Sequence, residues 1–156
     1  MKVPDWIRIQ EFFFTAMISG YAKSSLPAVG MYMPGYNSLT YSSGDLMLID
    51  QWATYKSSDR SSGSTTIYKD NQPIWVMSYE GHYPEDALPT LKAALHINYK
   101  KKVFLGGRGP AIVNIAGYHY SNQIGNNEFT DFDGAEYIHR GQLYVGSHSY
   151  RGQSLV

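Results

Sequence analysis

The chain has 156 residues, 13 Lys+Arg against 13 Asp+Glu, and no cysteine. This length suits a single domain over 1–156 with a substantial core, and the balanced charge argues against direct nucleic-acid binding, which needs a basic excess. Without cysteine there is no disulfide, thiolate nucleophile or cysteine-held metal, and a cytoplasmic location is expected.

In chain order, Asp5 is placed to cap a helix over Trp6–Tyr21, with Ile9, Phe12, Phe13, Ala16 and Met17 at helical spacing and an end near Gly20. Phe12–Phe14 is too short an apolar run to span a bilayer, no signal-peptide pattern is present, and no membrane association is expected. Residues 23–45, rich in Ser, Gly, Pro and Tyr, read as a long irregular connection of the kind that covers a site. Leu46–Tyr55 reads as a strand and Lys56–Ser64 as a polar loop. Thr65–Tyr68 and Pro73–Tyr79 form a hairpin around Lys69-Asp70-Asn71-Gln72.

A helix is expected around Asp86–Tyr99, with Leu88, Leu91 and Leu95 on one side and Pro89 limiting its first turn. Gly106-Gly107-Arg108-Gly109-Pro110 leads into a strand over Ala111–Asn122, and Asn126-Asn127 marks a turn. Phe129–His139 and Gln142–Tyr150 are the last two strands, joined at Arg140-Gly141. The expected fold class is α+β: an antiparallel sheet of two similar three-stranded units, each preceded by a helix, with the helices on one face.

Residues 63–81 echo residues 134–152 without gaps. Gly63, Ile67, Ser78, Tyr79 and Gly81 meet Gly134, Ile138, Ser149, Tyr150 and Gly152. An internal repeat is therefore read over 44–81 and 111–152, either as a duplication or as two ordinary hairpins that converged. The differences bear on a site: Trp75 stands against Gly146, Met77 against His148, and Thr65 against Glu136.

Alternation places Trp75, Met77 and Tyr79 on one face, and Gly146, His148 and Tyr150 on the matching face of the second copy. If the two strands lie close together, Gly146 leaves room beside Trp75 for a concave aromatic surface with one titratable group. The competing reading is plain core beneath a helix, which is favoured for Trp75 and Met77. The candidate ligand-binding residues are Trp75, Met77, Tyr79, Glu136, His148 and Tyr150.

Other clusters carry less. No catalytic residue is assigned, no cofactor is expected, and the histidines lack metal-site spacing, although His119 and His148 could meet in space. Glu128, Asp131, Asp133 and Glu136 could supply paired carboxylates, but solvated acids at a turn are the simpler reading. Gly106–Pro110, with Arg108 available for phosphate, has the look of an anion-binding nest and is better read as a connection.

Phe12, Ala16, Tyr21 and Ala22, then Gly44-Asp45-Leu46 with Ile49-Asp50, then Pro73–Gly81 form an ordered series of motifs. Arg108-Gly109-Pro110, Phe132-x-Gly134-x-Glu136, Tyr144 and Tyr150-Arg151-Gly152 complete it. The series resembles a bacterial family of domains of unknown function, often found behind an N-terminal helix-turn-helix of the xenobiotic-response-element regulator type. The resemblance runs from about Phe12 to Val156 and implies no reaction or catalytic residue. Here the chain begins almost directly at the domain, and Thr65 stands where Glu136 stands in the second copy.

Three functions follow as expectations. The first is a noncatalytic small-molecule-binding or sensing domain related to regulator-associated domains, taking a small apolar or aromatic ligand. The second is a protein-interaction module that self-associates as a homo-oligomer through a sheet edge or tyrosine-rich surface. The third is a hydrolase or isomerase using the acidic residues and His148.

Overall fold

The computed structural model describes residues 3–20 and 33–156. Helix α1 (Trp6–Ser19) starts where the Asp5 side chain accepts the Arg8 N–H at 3.1 Å and ends at Gly20, which is ordinary N-capping. Four strands follow: β1 (Tyr36–Ser43), β2 (Leu46–Thr54), β3 (Arg60–Lys69) and β4 (Gln72–His82). After a short 3₁₀ turn at Glu85–Ala87 come helix α2 (Leu88–Lys101) and four more strands. These are β5 (Ile112–Ile115), β6 (Tyr118–Glu128), β7 (Asp131–Arg140) and β8 (Leu143–Ser154).

The expectation of two three-stranded units, each preceded by a helix, is corrected by the pairing. Among the described residues there is one antiparallel eight-stranded sheet in the order β1-β2-β3-β4-β8-β7-β6-β5. Two local features hid the extra strands. Strand β1 lies within the segment read as irregular, because an edge strand of sequence YNSLTYSS buries only Ser38 and so lacks apolar alternation. The run Ala111–Asn122 is broken at Ala116-Gly117, both at positive φ (50° and 82°), which folds it into the β5–β6 hairpin.

Two boundaries also moved. Strand β3 begins at Arg60, so half of the Ser-rich loop is strand. Strand β6 runs through Asn126-Asn127 to Glu128, with a register irregularity there. Residues 21–32, which include the end of the expected first helix and much of the expected covering segment, lie outside the described residues.

The core lies between the helices and one sheet face. Phe13 of α1 is at its centre, with ring centroids 5.5 Å from Trp75, 5.9 Å from Tyr99 of α2, and 6.1 Å from Phe129. No helix among the described residues is long and apolar enough to cross a membrane.

The repeat offset reappears in the sheet register. Tyr79 of β4 pairs with its counterpart Tyr150 of β8, and the flanking pairs run symmetrically outward from them. Gly63 sits opposite Tyr79, and Gly134 opposite Tyr150. Each glycine makes room for the ring across from it. A Cβ on Gly63 would lie 2.7 Å from the Tyr79 ring, and one on Gly134 would lie 2.3 Å from the Tyr150 oxygen. The shared Gly and Tyr positions are thus one packing device used twice.

Gly134→Ala is expected to lower stability by about 1–3 kcal/mol through overpacking, measured by urea denaturation. A change within experimental error would show that Tyr150 can move aside at no cost.

Candidate functional site

Across the middle of the buried face, Ser61 of β3 lies opposite Gly81 of β4, and Gly81 lies opposite His148 of β8. With no side chain on Gly81, the row has a trough at its centre. A Cβ there would fall 1.9 Å from the Ser147 carbonyl oxygen and 2.7 Å from Cδ2 of His148. The imidazole leans across this gap, and Ser61 Oγ lies 3.1 Å from His148 Nε2, a contact that spans β4.

The symmetric row in the other half is Phe132, Gly152 and Met77. There the trough is filled, since a Cβ on Gly152 would be 2.0 Å from Phe132 Cζ. The same backbone feature is packed with apolar groups in one half and lined with polar groups in the other.

Behind His148 lies a buried ionic cluster. Glu136, with no exposed surface, ion-pairs through Oε1 with Arg108 and accepts the Tyr120 hydroxyl at 2.6 Å on Oε2. Burial pushes the Glu136 carboxyl up, but the Arg108 guanidinium and then the contact with His148 outweigh it and hold the group at about 2. Burial lowers the His148 pKa against the opposing pull of Glu136, so the imidazole favours its neutral form. Its Nδ1 lies 3.6 Å from Glu136 Oε1, beyond hydrogen-bond distance. His148 Nδ1 and Arg108 Nε are buried polar atoms without a hydrogen-bond partner. Such atoms are scarce in folded proteins.

Arg108 reaches the cluster from the glycine-rich connection. Gly106 and Gly107 take positive φ (60° and 67°), which glycine tolerates without steric cost. The loop is held by Asn98 Nδ2 donating to the Arg108 carbonyl at 3.1 Å, the Tyr99 hydroxyl donating to the Gly107 carbonyl at 2.9 Å, and Gly109 N–H donating to the Tyr120 oxygen at 3.0 Å. The guanidinium carbon stands 5.6 Å from the Tyr79 ring centroid.

On the other side of β3 from this centre, Tyr79 donates to Asp50 Oδ1 at 2.8 Å, as does Thr65. Burial raises the Asp50 pKa, and those two bonds offset it only in part. Its counterpart bond runs from Tyr150 to Asn122 at 2.6 Å.

Ser61, Tyr79, Arg108 and His148 open onto a cavity of about 280 Å³, small for a ligand pocket. Tyr79, Tyr83, Arg108 and His148 lie along it, with Trp52, Leu88 and Ser61 among its other walls. A wider groove of about 690 Å³ on the neighbouring surface shares Thr54, Ser58 and Ser61. That groove is shallow and lacks Arg108 and His148, both of which line the smaller cavity.

Residues 53–155 match the family model described as a domain of unknown function, DUF5680. The chain belongs to this family. No curated protein and no solved structure matches it. The DUF5680 region begins within β2 and takes in Ser61, Gly81, Arg108, Glu136 and His148, so the whole polar trough and its ionic support lie inside it.

Within the DUF5680 region the candidate residues separate. His148 and Tyr79 line the cavity, and Glu136 lies beneath them. Tyr150 is buried against Asn122. Trp75 and Met77 are core: Trp75 stacks on Phe129 and Phe132 at 5.2 and 5.4 Å and donates its indole N–H to the Phe129 carbonyl. Gly146 does not border Trp75, because pairing about Tyr79 and Tyr150 puts them at opposite ends. Trp75 faces Ser154, and the space at Gly146 is taken by His82 and Tyr83.

The acidic cluster does not converge, since Asp131 and Asp133 are exposed while Glu136 points inward. His119 bonds Asn114 at 2.8 Å on an exposed position rather than meeting His148. Sequence reasoning passed over Ser61, Tyr83 and the inward turn of Arg108. Ser61 was findable, because extending the repeat two positions sets it against Phe132, a polar residue where the other copy is aromatic.

Proposed function

We propose that this DUF5680 chain is a small-molecule-binding or sensing domain of the kind associated with bacterial regulators, its ligand seated in the cavity over Tyr79, Tyr83, Arg108 and His148. The observation that carries this reading is a concave cavity on which Trp52, Tyr79 and Tyr83 converge beside the Arg108 and His148 side chains. The ligand that fits is planar, of one or two rings, with an acidic or polar substituent directed at Arg108.

Calorimetric and thermal-shift titrations with 2-naphthoate, 2-naphthol and naphthalene test the reading. Binding should be strongest for 2-naphthoate, with a rise in melting temperature. No heat and no shift with any of the three would remove the proposal.

A further inference from the structure

We propose that Ser61, His148 and Glu136 make this pocket an acyl-transfer centre that cleaves small esters of aromatic or apolar groups. The inference uses the binding reading only to place the substrate; the reaction is carried by the serine, imidazole and carboxylate set in line.

Ser61 Oγ lies 3.1 Å from Nε2 of His148, and the other ring nitrogen faces Glu136 Oε1 at 3.6 Å. A carboxylate beside Nδ1 favours the tautomer with the proton there, which leaves Nε2 as the acceptor for the serine hydroxyl. Serine, imidazole and carboxylate in that order form the nucleophile, base and orienting group of acyl-transfer sites on unrelated folds. Such sites are recognised by geometry rather than by position in the chain. The Nδ1–Oε1 separation is longer than a hydrogen bond, as catalytic contacts often are before substrate binds.

The surroundings suit the role. Ser61 is partly exposed and borders both the cavity and the open groove, so a substrate can reach Oγ while its leaving group points to solvent. His148 and Glu136 are enclosed, with 5% and 0% exposure. Gly81 is what allows the pair to form, since any side chain there would strike the imidazole. Arg108 lines the same cavity, so it brings positive charge toward an oxygen that becomes negative.

In the first step Ser61 Oγ attacks the ester carbonyl carbon and its proton passes to His148 Nε2. The carbon–oxygen bond to the leaving group then breaks, His148 returns the proton to that oxygen, and an alcohol or phenol departs, leaving acyl-Ser61. In the second step water attacks the acyl carbon and gives its proton to His148. The bond to Oγ breaks, the proton returns to Ser61, and a carboxylic acid is released. The sum is ester plus water giving acid plus alcohol, with no other reactant. Ser61 and His148 are the catalytic residues; Glu136 is a positioning residue.

The full chain is treated with 4-nitrophenyl acetate and, separately, with a fluorophosphonate, and the modified residue is located by mass spectrometry. Ser61 should be the labelled residue, and Ser61→Ala should abolish both labelling and nitrophenol release above buffer. His148→Gln should slow acylation by about 10²–10⁴-fold. In Glu136→Gln the pH midpoint of the acylation rate should fall, because the imidazolium loses its carboxylate; an unchanged midpoint removes Glu136 from the set. Absence of label on Ser61, or release undiminished in Ser61→Ala, overturns the proposal. If 2-naphthoate binds while Ser61 stays unlabelled, the catalytic inference fails and the binding reading stands.

Discussion

Arg108→Met is expected to destabilise the fold by about 3–5 kcal/mol, because it leaves a buried carboxylate without its counter-ion. Arg108 is 4% exposed and Glu136 fully enclosed, so water cannot replace the lost partner. Replacing both, as in Arg108→Met with Glu136→Met, should recover much of the loss, since an apolar pair of similar volume avoids the desolvation of two ions. Recovery should be incomplete, because Tyr120 loses its acceptor.

The pH dependence has a definite sign. In the parent chain Glu136 is held at about 2, below its ordinary 4.5. Its stabilisation is therefore present above pH 4.5 and lost as pH falls toward 2. His148 is also lowered, from 6.5, so protons favour the unfolded chain and stability starts to decline below that pH. Without Arg108, burial dominates Glu136 and raises it, so the folded variant holds its proton more tightly than the unfolded chain. The deficit of Arg108→Met should thus be greatest at neutral pH and shrink toward pH 3, measured by urea denaturation across that range. A deficit independent of pH would mean that the ion pair is not what Arg108 supplies.

Trp75→Ala should cost a similar amount, about 3–5 kcal/mol. The indole has no exposed surface, stacks on Phe129 and Phe132, and contacts the Phe13 ring. Its removal opens a cavity where the first helix meets the sheet and leaves the Phe129 carbonyl without its donor. Trp75→Phe keeps most of the stacking and should lose less. That variant separates core from site: its affinity for 2-naphthoate should equal the parent's. A weakened affinity in Trp75→Phe with little change in stability would place the ligand against Trp75.

The sheet's central symmetry was legible because it is written in backbone demands. Gly63 and Gly134 must be small wherever Tyr79 and Tyr150 fold over them, so the same letters recur at the same spacing. Strand β1 was not legible, since an edge strand with a polar face has the composition of a loop.

The site was half visible. His148 stood out against Met77 of the other copy and Glu136 against Thr65, although Glu136 also read as one of several solvated acids. Ser61 was hidden by a Ser-rich run that resembles a flexible loop until its pairing with Gly81 is known. Arg108 was hidden for a different reason. A charged residue among glycines reads as solvent-facing, and only the fold shows the loop turning it toward Glu136, 28 residues away in sequence. The repeat suggested that function would lie where the copies differ. Ser61 and His148 opposite Phe132 and Met77 are such a difference, although Trp75 opposite Gly146 is not part of it.

The central claim is that a planar ligand occupies the cavity over Tyr79, Tyr83, Arg108 and His148. Amide chemical-shift mapping of the isotopically labelled full chain, titrated with 2-naphthoate, tests it most directly. Saturable shifts should concentrate on Ser58–Ser61, Tyr83, Leu88, Arg108 and His148. Shifts confined to the opposite, solvent-facing side of the sheet, or none at saturating 2-naphthoate, would contradict the account.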